Sequence, residues 1–157
     1  MSLEKKVKHP LEGKYIVFEY ITSDGDSEGS GLAVYKLERG RLHAIFNPAV
    51  YTPEELEGVV YDKSQRRDVT PTEKAIHLLK RKRVREVVSV SSSGNFFGIP
   101  YDYQFLDDTM DDEGFRTNWY EYKAVDRNSY EHLLLQDEGI NVRFFDENKK
   151  NFRDSSG

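Results

Sequence analysis

From Gly13 to Phe46 apolar and polar residues alternate with a period of two, and this run constrains the fold more than any other feature of the chain. Ile16, Phe18 and Tyr20 fall on one face, followed by Leu32 and Val34, then by Leu42, Ala44 and Phe46. Turn chemistry at Asp24-Gly25 and Arg39-Gly40 divides the run. The segment is expected to form a three-stranded antiparallel meander.

Two helix starts follow, each written Thr-Pro-x-Glu: Thr52-Pro53-Glu54-Glu55 and Thr70-Pro71-Thr72-Glu73. In both, Thr can accept from exposed amides, Pro suits the first helical position, and Glu can reach back to complete a capping box. The first helix is expected to be short, ending near Val60. The second turns Ala75, Ile76 and Leu79 inward and carries Lys80 to Arg83 at its C-terminal end, where cations favour the helix dipole. Val84 to Val90 reads as a strand and Ser91 to Gly94 as a loop. Strands are expected near Phe97 to Leu106 and Asn118 to Val125, joined by an acidic turn from Asp107 to Gly114. A helix from about Arg127 to Asp137, stopped by Gly139, leads to a last strand at Ile140 to Phe145. The expected class is α+β, a mainly antiparallel or mixed sheet with about three helices packed on it. One domain spans 1–146, and 147–157 is a polar, frayed tail.

With 157 residues the chain can build one real core, and ten Tyr and nine Phe supply large apolar surfaces for it. The absence of cysteine excludes disulfides, thiolate zinc sites and a cysteine nucleophile, and fits a cytosolic setting. Lys5, Lys6 and Lys8 have no apolar run behind them, so no signal peptide is expected, and nothing approaches the ~20 apolar residues of a membrane span. Scarce glutamine (Gln65, Gln104, Gln136), no cysteine and abundant charge point toward a heat-exposed source.

The formal net charge is -5, yet Lys63 to Arg85 holds Lys63, Arg66, Arg67, Lys74, Lys80, Arg81, Lys82, Arg83 and Arg85 against Asp68 and Glu73. A basic block in an acidic chain is a local surface, and phosphate backbones bind such surfaces. Arg66, Arg67, Lys80, Arg81, Lys82, Arg83 and Arg85 are therefore the candidate nucleic-acid contacts, weighed against a solvated helix end. Glu86 follows directly. It is either an ordinary ion-pair partner or a metal ligand or general base beside a docked phosphate.

Asp102 and the triplet Glu121-Tyr122-Lys123 lie on consecutive expected strands. Alternation puts Glu121 and Lys123 on one face, so a carboxylate can hold Mg²⁺ while the ammonium steadies developing charge. The alternative is a structural salt-bridge ladder. The pattern Asp…Glu-x-Lys resembles the core of restriction-endonuclease-like nucleases, and the expected order of elements from Thr70 to Phe145 is similar to theirs. That resemblance implies divalent-metal cleavage of DNA by Asp102, Glu121 and Lys123. Ser93-Gly94 before Asp102-Tyr103-Gln104 resembles nucleotidyltransferases more weakly, because Gln104 replaces the second acid that family needs. In length, lack of cysteine and overall character, with no aligned motif, the whole chain resembles small nucleases of archaeal filamentous viruses. This implies a host-cytoplasmic viral nuclease with a carboxylate among cations.

Asp24 to Gly29 begins like a calcium loop, but Tyr35 stands where a bidentate Glu should close it, so a hairpin turn is expected. His9, His43, His77 and His132 show no paired metal-ligand spacing. The sequence thus points to a metal-dependent nuclease on double-stranded DNA, with Glu86, Asp102, Glu121 and Lys123 catalytic and Glu86, Asp102 and Glu121 holding Mg²⁺. Its rivals are a non-catalytic nucleic-acid-binding module, and an interaction or inhibitor module whose Asp107 to Glu113 turn meets a basic partner.

Overall fold

The computed structural model describes residues 8–92, 94–100, 105–107 and 118–153. In chain order the elements are β1 (Tyr15–Ser23), β2 (Glu28–Glu38), β3 (Arg41–Phe46), α1 (Pro53–Glu57), β4 (Val60–Asp62), β5 (Arg67–Val69), α2 (Pro71–Arg81) and β6 (Glu86–Ser91). They continue with β7 (Asn95–Phe96), β8 (Ile99–Pro100), β9 (Phe105–Asp107), β10 (Asn118–Ala124), α3 (Tyr130–Asp137), β11 (Asn141–Asp146) and β12 (Asn151–Arg153).

The expected meander is present: β1 pairs antiparallel with β2 from Tyr15↔Lys36 to Ser23↔Glu28, and β2 pairs with β3. At the first turn the Asp24 carboxylate accepts from the Asp26 and Ser27 amides, the local device that makes Asp a turn former. The other edge of β1 is divided. Ile16 and Val17 pair in parallel with Val88 and Ser89 of β6, and Phe18 to Ser23 then pair antiparallel with β10. From this fork β6 leads through parallel β11 to β12, while β10 leads to β9, giving an α+β domain built on a mixed sheet. The buried Ser89 hydroxyl closes the seam by donating to the Val125 carbonyl.

Both faces of the sheet are apolar. Ile16, Phe18, Val88, Val90, Tyr122 and Phe145 form a cluster on one side, and Val17, Val34, Val87, Val125 and Val142 form one on the other with Ala75, Ile76 and Leu79 of α2 and Leu135 of α3. Among the described residues no strand pairs with the outer edge of β2 from Glu28 to Leu32. It is closed instead by α1 and the start of α2, where the Leu32 amide donates to Thr72 Oγ1. A Cβ at Gly29 would lie 2.3 Å from the Pro53 carbonyl oxygen, so α1 packs this close only because Gly29 has no side chain.

Both Thr-Pro starts are helix starts, but the full reciprocal box closes at Thr52 and Glu55, whereas at Thr70 the hydroxyl accepts from the Glu73 amide alone. The first helix stops at Glu57, and the residues after it form the β4–β5 hairpin instead of extra helix. The single strand expected near Phe97 is broken by left-handed Phe97 and Gly98 (φ 48° and 92°), which turn β7 back onto β8. The tail expected to fray from 147 includes β12, whose Phe152 packs edge-on against Phe145 at 5.1 Å. Asp102, Gln104 and the acidic turn from 108 onward lie outside the described residues.

Candidate nucleic-acid interface and carboxylate sites

The basic block resolves into a helix end. α2 closes with two bonds, Arg83 N–H to the Lys80 carbonyl and Val84 N–H to the Leu79 carbonyl, and α3 closes identically through Gly139 and Ile140. Such a closure needs a left-handed residue, which is Gly139 (φ 79°) in α3 but Arg83 (φ 61°) in α2. A side chain in that conformation costs about 1 kcal/mol, so α2 gives up stability to place a cation there. Arg81, Lys82, Arg83 and Arg85 are all exposed around this end. Lys80 is not equivalent to them, because its Nζ lies 2.6 Å from Glu138 Oε2 at the end of α3.

The hairpin brings Arg67 to this end: Arg67, Glu73, His77, Lys80 and Glu138 line one cleft of about 150 Å³. Arg66 is exposed in the hairpin's left-handed turn (φ 55°) and does not line that cleft.

Glu86 opens β6, next to Arg85. Its Oε1 lies 3.9 Å from Lys14 Nζ and 3.8 Å from Arg143 Nη1, with 41% of the side chain exposed. Exposed pairs of this length are worth under about 1 kcal/mol each, so they do little for stability. They do fix a water-accessible carboxylate between two cations. Arg143 also lines an adjacent cavity of about 310 Å³ with Arg127, His132, Asn141 and Arg153. Two of these guanidinium groups are held over rings, Arg143 at 3.7 Å from Phe152 and Arg127 at 5.0 Å from Phe144, which orients them before any anion arrives. Lys14, Arg127, Arg143 and Arg153 escape a sequence reading because they are isolated in the chain. Parallel pairing of β6 with β1 and with β11 brings Lys14 and Arg143 beside Glu86, and antiparallel pairing of β11 with β12 brings Arg153 into the cavity that Arg143 lines with Arg127.

Glu121 and Lys123 share a face as alternation requires and pair at 3.4 Å, with Glu121 largely covered. The strand beside them supplies Glu19, directly opposite Lys123, and Ile21, opposite Glu121. Burial pushes the Glu19 carboxyl up to about 7, and the negative charge of Glu131 adds to the shift. Glu131 is itself buried in the first turn of α3 and raised for the same reason. The sequence signal for Glu19 was available: one charge inside the apolar run Tyr15 to Ile21.

The two carboxylate centres do not meet. Glu86 alternates with Val88 and Val90 on one face of the sheet, whereas Glu121 and Lys123 share the opposite face with Val125. Glu86 reaches the start of β1 at Lys14, while Glu121 stands opposite Ile21, about 20 Å further along an extended strand. Among the described residues no three His, Asp or Glu side chains gather into a metal-binding group. No helix there is long and apolar enough to cross a membrane. Compared with family models, curated proteins and solved structures, the chain matches none.

Proposed function

We propose that the chain binds double-stranded DNA along the basic end of α2 and hydrolyses phosphodiester bonds at Glu86. The observation that carries this reading is a solvent-accessible carboxylate fixed between Lys14 and Arg143, beside exposed Arg85 and an arginine-lined cavity. Arg81, Lys82 and Arg83 hold the backbone by charge without reading bases. Arg143 and its neighbours neutralise the phosphate under attack. Glu86 accepts a proton from the attacking water as its oxygen bonds to phosphorus, the bond from phosphorus to the leaving sugar oxygen breaks with its electron pair going to that oxygen, and the oxygen takes a proton from solvent water. Lys14 and Arg143 stabilise the extra negative charge that the transition state gathers. A divalent ion such as Mg²⁺ would be held by one Glu86 carboxylate oxygen, leaving the other to take the proton, and would supply further neutralisation of the phosphate charge.

A second reading places the chemistry at Glu121 and Lys123. It is favoured by one observation: Glu19, across from Lys123, has a carboxyl raised to about 7, where a general base works best near neutral pH.

The experiment is product formation on end-labelled linear duplex with Mg²⁺ and with chelator. Fragments that appear with the metal and vanish with the chelator are the expected result. Salt-dependent binding with no product under any metal would reduce the function to a non-catalytic DNA-binding module.

A further inference from the structure

A groove of about 520 Å³ runs between the β4–β5 hairpin, α2 and the end of β3, and neither catalytic reading uses it. Phe46, Tyr61 and Leu78 form apolar walls, while Lys63, Lys74 and Arg81 stand around them. Phe46 is backed by Tyr51, stacked at 6.2 Å and 30°, so its ring is held in place. Tyr61 is 58% exposed, an aromatic ring presented to solvent by a three-residue strand. The acid lining the groove, Asp62, is committed to the hairpin turn: its carboxylate accepts from the Ser64 amide and hydroxyl and from Gln65 Nε2. Those bonds, the Gln65 one first, hold it down at about 2, so the turn is locked at any ordinary pH. Lys63, Lys74 and Arg81 enter no ion pair among the described residues, in contrast to Lys80, which is neutralised by Glu138.

We propose that this groove binds one unpaired nucleotide of a DNA strand held at the basic end of α2, stacking its base on Tyr61 and Phe46 and placing its phosphate on Lys74 and Arg81. Aromatic walls with a cationic rim suit a nucleoside monophosphate unit, whose flat face is apolar and whose phosphate is anionic. The volume lies within the range of small-ligand sites. A paired base cannot enter, because its faces are covered by its neighbours in the duplex; only an overhang, frayed end or extruded base presents them. Arg81 belongs both to the groove and to the exposed end of α2, so a strand crossing Lys82 and Arg83 reaches the groove without a break in contact. The inference rests on the DNA-binding reading above and adds the preferred substrate: duplex with a single-stranded end.

The test is fluorescence anisotropy, with chelator present so that no strand is cut, of wild type, Tyr61→Ala and the control Tyr130→Ala, an equally exposed tyrosine on α3. The DNA is a blunt duplex and the same duplex with a short single-stranded overhang, and free dAMP serves as competitor. Wild type should prefer the overhang by about tenfold or more, the effect of stacking one base. Tyr61→Ala should lose that preference and bind blunt duplex as wild type does, while Tyr130→Ala keeps it. A wild type indifferent to the overhang, or a Tyr61→Ala that still prefers it, overturns the groove and leaves duplex binding standing. Displacement by dAMP without any overhang preference assigns the groove to free nucleotides and overturns the strand as its occupant. Salt-independent or absent binding of both duplexes removes the DNA-binding reading, and this inference with it.

Discussion

Glu19 and Glu86 show how position decides what a carboxylate can do. Glu86 is exposed between cations, whereas Glu19 is half-buried on the helix-covered face with Glu131, Asp126, Glu121 and Lys123 around it. The raised Glu19 carboxyl, from 4.5 to about 7, means that the folded protein keeps a proton which the unfolded chain releases earlier. Its stabilising contribution is full below the unfolded value and is lost as pH rises through the folded one. Glu19→Gln should therefore raise the melting temperature by several degrees at about pH 8 and change it little at about pH 4, as followed by thermal unfolding. An equal gain at both pH values would mean that the charge is not the cause. This residue was legible in the sequence as a charge within an apolar strand, but its partners were not, because Glu131 reaches it only after α3 folds back onto the sheet.

The closing turn of α2 sets stability against binding at the level of an element. Arg83→Gly should stabilise the fold by up to about 1 kcal/mol, measured by denaturant unfolding, since glycine adopts the left-handed conformation without strain. The same change should lower duplex affinity and reduce the slope of log affinity against log salt by about 0.9 for one lost phosphate contact. Lys80→Ala should reduce that slope less, because Glu138 already holds the ammonium. At the other end of the domain, Gly29→Ala forces a Cβ against the Pro53 carbonyl and should cost about 1–3 kcal/mol by displacing α1. These helices were readable from local chemistry, since Thr-Pro starts, inward apolar spacing and Gly139 all act within a few residues. The β4–β5 hairpin and β12 were not. Their strands are three residues long, too short to show a period of two, and they pair because an edge or a turn is offered to them. The expected strand near Phe97 failed for the opposite reason: its apolar residues continue through a turn.

Across the whole molecule, the fork at β1 determines what can cooperate. It sends β6 and β11 one way with Glu86, Lys14 and Arg143, and β10 the other way with Glu121 and Lys123, on opposite faces. The basic block and Glu86 were visible as a run of letters, and so was the Glu-x-Lys pair. Their separation was not, because it depends on which strands share the edge of β1. A chain of net charge -5 still presents a positive surface among the described residues, formed by the exposed cations that close α2. Whether Glu86 carries the chemistry is decided by cleavage of labelled linear duplex by Glu86→Ala, with duplex affinity measured on the same preparation. Affinity should stay at the wild-type level or rise as a negative charge leaves the phosphate site. Cleavage should fall by about 10² to 10⁴, the usual effect of removing a general acid or base. Wild-type cleavage by Glu86→Ala, together with inactivity of Glu121→Ala and Lys123→Ala, would exclude Glu86 and move the chemistry to the other face of the sheet.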